Sequence, residues 1–171
     1  MKKTALRQYA RLIATVGAAV QKGQAVVITA GLDQPEFVRM LAEECYRAGA
    51  SQVEVVWTYQ PLTRLDVRWQ KPAVLGAVPA WKEQRLRQQA ETLPAFIYLE
   101  SDDPDGLAGI DQAKWGSAMQ ARYKVIKPFR DAMENKHQWC IAGVPGEKWA
   151  KKMFPTLSRS RAQEALWEAI L

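Results

Sequence analysis

Ala25-Val26-Val27-Ile28-Thr29-Ala30 is a nearly unbroken apolar run closed on either side by Gly23 and Gly31. A strand with that composition is covered on both faces, and strands covered on both faces belong to parallel sheets. Asp33 and Glu36 follow as an Asp-x-x-Glu capping signature with Pro35 in the first turn;. Phe37, Leu41, Cys45 and Ala48 then line one helical face before Gly49 ends the helix;. Val53-Glu54-Val55-Val56-Trp57 reads as a second strand. A strand, a crossover helix and another strand in so short a stretch make a βαβ unit, right-handed by default.

The rest of the chain continues this alternation. Leu6, Tyr9, Ala10, Ile13, Val16, Gly17 and Val20 fall at helical spacing, so a first helix is predicted to run up to Lys22-Gly23;. Between Pro61 and Pro94, Pro72, Gly76 and Pro79 break the helical pattern into two or three short helices;. Ala95 to Leu99 is a third buried strand, followed by the loop Ser101-Asp102-Asp103-Pro104-Asp105-Gly106. Trp115, Ala118, Met119, Val125, Ile126 and Phe129 support a long helix, in which Pro128 must cause a kink or start a new first turn;. Trp139-Cys140-Ile141-Ala142 reads as a fourth strand, interior to the sheet, and a Ser160-x-x-Gln163 capping box opens a last helix carrying Leu166, Trp167 and Ile170;. Four strands alternating with helices over residues 1–171 imply a single α/β domain. Its architecture is a three-layer sandwich with a mainly parallel, Rossmann-like sheet and helices on both faces.

Composition narrows the function classes. An apolar content of 48% with seven tryptophans fills a sizeable core in one domain of 171 residues;. Cys45 and Cys140 stand far apart without a CxxC or a histidine at ligand spacing, which indicates neither a disulfide framework nor a zinc knuckle;. Arg7, Gln8 and Arg11 interrupt what a secretory signal would keep apolar, and no apolar run is long enough to span a membrane, so the chain reads as cytoplasmic;. The formal charge of +6 and the local run Lys148, Lys151, Lys152, Arg159 and Arg161 raise nucleic acid as a partner;. No RNP-like, helix-turn-helix or zinc-finger pattern accompanies that run, and it reads as a solvated face.

Parallel sheets bind ligands beyond the carboxyl ends of their strands, which points to residues 29–33, 57–60, 100–105 and 143–146. The turn after the first strand lacks GxGxxG, and GxxxxGK[ST] is absent, so no dinucleotide or P-loop site is indicated;. Asp102, Asp103 and Asp105 lack the spacing and terminal Glu of a calcium loop and read as turn formers or helix caps;. His137, the one histidine, has no Ser, Cys or carboxylate partner at recognisable spacing and reads as a surface residue;. No catalytic, cofactor-binding or metal-ligating residue is assigned.

Several segments together carry a family resemblance. They are Lys124-Val125-Ile126-Lys127-Pro128-Phe129-Arg130, then His137 to Pro145, Trp149-Ala150-Lys151-Lys152-Met153-Phe154-Pro155 and Leu166 to Leu171. Tyr9 to Ile13, Val20 to Gln24, Phe37-Val38-Arg39, Ala48-Gly49-Ala50, Leu62-Thr63-Arg64 and Asp103-Pro104-Asp105 extend it over the whole chain. In order and spacing the sequence resembles the first half of the thermophilic metalloaminopeptidases, the aminopeptidase T and S type. The resemblance implies an intact protein that removes N-terminal residues from peptides with a pair of divalent metal ions of the zinc or cobalt class, held in a C-terminal catalytic domain. It also implies two-domain subunits that pair as homodimers.

A two-metal peptidase needs several imidazoles and carboxylates to hold ions about 3.5–4 Å apart. The family's ligands find no matching positions in this sequence, so the 171 residues alone are expected to be inactive. The apolar end at Leu166, Trp167, Ile170 and Leu171 is expected to stay partly uncovered in this chain, as at a cut between domains;. The alternative is a stand-alone α/β ligand-binding or scaffold module without peptidase activity.

Overall fold

A computed structural model of the chain describes residues 2–171. Four strands, β1 (Ala25–Gly31), β2 (Gln52–Thr58), β3 (Ala95–Glu100) and β4 (Trp139–Gly143), form one sheet in the order β2-β1-β3-β4. Every pairing is parallel. The helices are α1 (Lys3–Leu12), α2 (Pro35–Arg47), α3 (Gln60–Trp69), α4 (Pro72–Leu75), α5 (Ala80–Thr92), α6 (Gln112–Met133), α7 (Glu147–Met153) and α8 (Arg159–Ile170). This is the mixed α/β architecture with a parallel sheet flanked by helices that the sequence pattern implies.

The chain divides into two compact units. The first takes the residues up to Thr58, Pro94–Pro104 and Gln138–Leu171, and so contains the whole sheet with α1, α2, α7 and α8. Its core joins Val26, Ile28 and Ala30 of β1 and Ala95, Ile97 and Leu99 of β3 to Ile13, Phe37, Leu41, Cys45 and Trp167. The second takes Tyr59–Leu93 and Asp105–His137 and contains α3 to α6. Its core is smaller, with Val67, Leu75 and Ala118 buried among Ile110, Trp115 and Met119. α3, α4 and α5 are the short helices that Pro72, Gly76 and Pro79 impose, and α6 runs through Pro128 as a single helix rather than restarting there.

Several local expectations need correction. The first helix gives way after Leu12 to a π-helical turn over Ile13–Gly17, in which the Ala18 N–H reaches the Ile13 carbonyl at 2.8 Å. The extra residue in that turn breaks the 3.6-residue spacing, so Ile13 and Ala14 are buried while Val16 is 67% exposed;. The element ends at Gly17 with Ala18 as its C-cap, followed by Ala19 with φ of 43°, and does not run on to Lys22-Gly23. Neither predicted capping box forms. Gln34, not Asp33, occupies the N-cap of α2, and Ser158, not Ser160, that of α8, with no side-chain cap bond at either. The end of α2 does follow its glycine signal. Gly49 takes φ of +106°, and the Gly49 and Ala50 N–H groups donate to the Tyr46 and Cys45 carbonyls at 3.0 Å each, a Schellman motif;.

β4 lies at the edge of the sheet and is not interior to it. Only the Cys140 and Ala142 side turns to the core, leaving Trp139 and Ile141 59% and 58% exposed;. The last helix departs from expectation in the opposite sense. Leu166 packs with Ala150 and Ala162, and Trp167 sits in the main core against Tyr9 and Phe37, with ring centroids 6.0 and 5.7 Å away. Leu166 and Trp167 are therefore covered within the first unit itself, contrary to the open end expected for them.

Cys45 lies at 0% exposure on the core face of α2, and burial, with the charge of Glu44 adding to it, pushes its thiol up to about 12 from an ordinary 9.0;. An unfolded chain releases this proton at lower pH than the folded one. The thiol's contribution to stability is thus fully present below about pH 9 and is lost as pH rises toward 12;. Cys45 should resist iodoacetamide in the native protein at pH 8 and react once urea unfolds it. Replacing it by Ala should flatten the decline of the urea midpoint between pH 9 and 12, and an unchanged slope would refute the assignment.

Candidate functional site

The order β2-β1-β3-β4 places a topological switch point between β1 and β3, because the connections leaving these two strands run to opposite sides of the sheet;. Ligands of parallel sheets enter there when the crevice is open. In this protein it is laced shut by polar groups from three loops. The buried Ser101 hydroxyl, just past β3, donates to Asp33 Oδ1 at 2.9 Å, and Gln34 Nε2 donates to Asp33 Oδ2 at the same distance. The Pro145 carbonyl, just past β4, accepts from Gln34 Nε2 at 3.4 Å and from Gln163 Nε2 of α8 at 3.2 Å.

Gly146 completes this lacing. A Cβ at that position would lie 2.0 Å from the Ser101 carbonyl oxygen and 3.0 Å from Asp33 Oδ2, so only glycine lets the loop after β4 come this close;. The Gly146→Ala protein should lose about 1–3 kcal/mol, since the atom in the way belongs to backbone and cannot swing aside. Urea unfolding measures this, and a loss under about 0.5 kcal/mol would mean that the loops shift freely.

Asp102 and Asp103 follow Ser101 in the loop after β3. Burial pushes the Asp102 carboxyl up from its ordinary value, and the negative charges of Asp33 and Asp103 push it the same way;. Asp103 has a counter-ion in Lys148, 3.2 Å away. Asp105 takes the turn-forming part foreseen for the trio, its carbonyl accepting the Ala108 N–H, whereas the cap of α6 comes from Asp111, which receives the Lys114 N–H at 2.9 Å. Among the described residues no group of three or more His, Cys, Asp or Glu side chains is placed to hold a metal ion. The polar network here joins loops. Its one hydroxyl, on Ser101, faces a carboxylate and no imidazole.

His137 is half-buried rather than on the surface, with Nδ1 2.8 Å from the Met133 carbonyl oxygen at the end of α6. The basic run is largely engaged locally. Lys148 pairs with Asp103, Arg159 with Glu147 at 3.0 Å, and Lys151 donates to the Pro155 and Leu157 carbonyls at the end of α7. Cys140 and Cys45 are both free thiols. Among the described residues no helix is long and apolar enough to cross a membrane.

Two features escaped the reading of the sequence. Ser101 and Gly146 lay inside the loops singled out, yet nothing in their spacing indicates that they meet. The second is a groove of about 500 Å³ in the second unit, where Met119, Arg122, Tyr123, Ile126 and Arg130 of α6 face Lys82 of α5. The three- and four-residue spacing of these α6 residues was a usable signal for one shared face.

Comparison with known proteins agrees with the fold and extends it. Residues 2–171 match the thermophilic metalloprotease (M29) family. Aminopeptidase AmpS of Bacillus subtilis is 33% identical over 166 residues, which are 96% of this chain and 40% of that protein. Aminopeptidase T of Thermus thermophilus is 34% identical over 169 residues, 98% of this chain and 41% of its own length. The solved structure of wild-type AmpT from Thermus thermophilus superimposes with a TM-score of 0.89, covering 98% of this chain and 43% of that one. The chain thus spans about two-fifths of the relatives it matches. By sequence and by fold, it belongs to the thermophilic metalloprotease family M29.

Proposed function

We propose that these 171 residues are the N-terminal, non-catalytic domain of a metal-dependent aminopeptidase that removes N-terminal residues from peptides. The observation that carries this reading is the coverage. Practically the whole chain matches proteins named aminopeptidases, and about two-fifths of their length accounts for all of it. The donor set present here does not fit a metal pair, because the one imidazole is bonded to a backbone carbonyl and Asp103 is paired with Lys148. The ions, of the zinc or cobalt class, would be held by a C-terminal catalytic domain outside these residues. This chain's part is to provide a rigid wall: a sheet whose switch point is closed by Ser101, Asp33 and Gly146 offers surfaces to a substrate chamber and to a homodimer contact. A cytoplasmic location and a Rossmann-like sheet complete the proposal, with no nucleic acid or membrane as partner.

The test is an aminoacyl anilide assay on the 171-residue chain with zinc or cobalt added. No metal-dependent release of chromophore is expected. Release that a chelator abolishes, reproduced across independent purifications, would defeat the non-catalytic assignment. Fusion of the chain to the remaining part of a family member should produce hydrolysis. A fusion that folds, binds metal and cleaves no peptide would defeat the aminopeptidase reading.

A further inference from the structure

The α5–α6 groove gathers positive charge without gathering its opposite. Among the described residues, Lys82, Arg122 and Arg130 form no ion pair, although on the same two helices Arg87 pairs with Glu83 and Lys127 with Asp131. Two further observations mark the deficit. The Arg122 Nε is buried with no hydrogen-bond partner, a donor left unsatisfied in an otherwise bonded fold;. Burial, and then the like charges of Arg122 and Arg85, hold the Lys82 ammonium below its ordinary pKa;. Folding has thus brought cations together at a cost that their own unit does not offset. Met119, Tyr123 and Ile126 supply an apolar floor beside them.

We propose that this groove binds a carboxylate carried on an apolar body, and specifically the C-terminal end of a peptide whose last side chain is apolar. Guanidinium groups match a carboxylate in both charge and fork geometry, and an adjoining apolar surface selects an amphipathic anion over a bare one. The choice of a peptide as the carrier rests on the aminopeptidase reading; the anion chemistry does not.

The experiment titrates the 171-residue chain with N-acetyl-leucyl-phenylalanine, with the same dipeptide as its C-terminal amide, and with inorganic phosphate, following backbone amide shifts of α5 and α6. The free acid should bind saturably. The amide should bind roughly tenfold more weakly or worse, as befits the loss of a charge-assisted hydrogen bond. Phosphate at equal concentration should not displace the acid. R122Q and, separately, the double variant K82Q/R130Q should each weaken the acid by a similar factor while the thermal melt stays that of the parent. The double variant replaces groups at the groove's rim, so a failure of R122Q to fold would not leave the proposal without a test.

Equal binding of acid and amide would overturn the proposal, as would equal competition by phosphate, unchanged affinity in the folded variants, or no binding at all. Hydrolysis is not the readout. An inactive fusion enzyme therefore counts against the aminopeptidase reading, and a groove indifferent to carboxylate counts against this one.

Discussion

Truncating Trp167 to Ala should destabilise the protein by about 3–5 kcal/mol, the largest effect anticipated for a single substitution in this chain. Trp167 is only 9% exposed and meets Tyr9 edge-on at 85°, while its ring is tilted at 45° to that of Phe37. Its removal would strip a large apolar surface and also break an aromatic trio, since Tyr9 and Phe37 themselves stand 5.8 Å apart;. Denaturant unfolding followed by circular dichroism measures the loss. A cost under about 1 kcal/mol would mean that Trp167 stays uncovered in solution, as the sequence pattern suggested for part of this apolar end.

Ile97→Ala should cost about 2–5 kcal/mol, whereas Ile141→Ala should cost less than about 1 kcal/mol. Both are isoleucines in strands of one sheet, and both sit one pairing apart in adjoining strands, Ile97 opposite Cys140 and Ile141 opposite Tyr98. The difference is position. Ile97 belongs to a central strand and faces the core at 0% exposure, while Ile141 belongs to the edge strand and faces away from the core. A truncated Ile97 leaves a cavity that the surrounding β1 and β4 side chains cannot fill by collapsing, and a truncated Ile141 leaves none. Equal losses in parallel urea titrations would mean that the outer face of β4 is covered in solution.

How much of this was legible in the sequence differs by element. β1 could be read directly, because Val26, Val27 and Ile28 are buried together on both faces as an unbroken apolar run requires;. Composition misled at β4, where Trp, Cys and Ile promised an interior strand. An edge strand can carry the same residues while burying only every second one, and strand order is set by tertiary pairing that spacing does not encode;. Val16 was misplaced for a different reason, since a single residue inserted into a helical turn rotates everything after it;. The Asp33 capping box failed because Asp33 had a better partner far along the chain in Ser101, so a long-range hydrogen bond overrode a local one;. For the candidate site, the loops at the strand ends could be named in advance. The closure of their crevice could not, because it depends on a glycine of one loop meeting a carbonyl of another.

The division of the chain has a consequence for how the protein comes into being. Each compact unit is assembled from separated stretches, three for one and two for the other. Neither unit can therefore be completed by a ribosome that has synthesised only half of the chain. After residue 58 the β1–β2 pair exists with α2, but β1 still lacks its second neighbour until β3 emerges beyond residue 95, and β3 lacks its own until β4 at residue 139. The Tyr9–Trp167 contact closes a loop of nearly the whole polypeptide. Contacts of such sequence separation must overcome their loop entropy before they contribute anything, so they form late and slowly. During that interval an apolar strand such as β1 is exposed to other nascent chains, and the yield of folded protein should depend on temperature and on chaperones more steeply than its final stability would indicate.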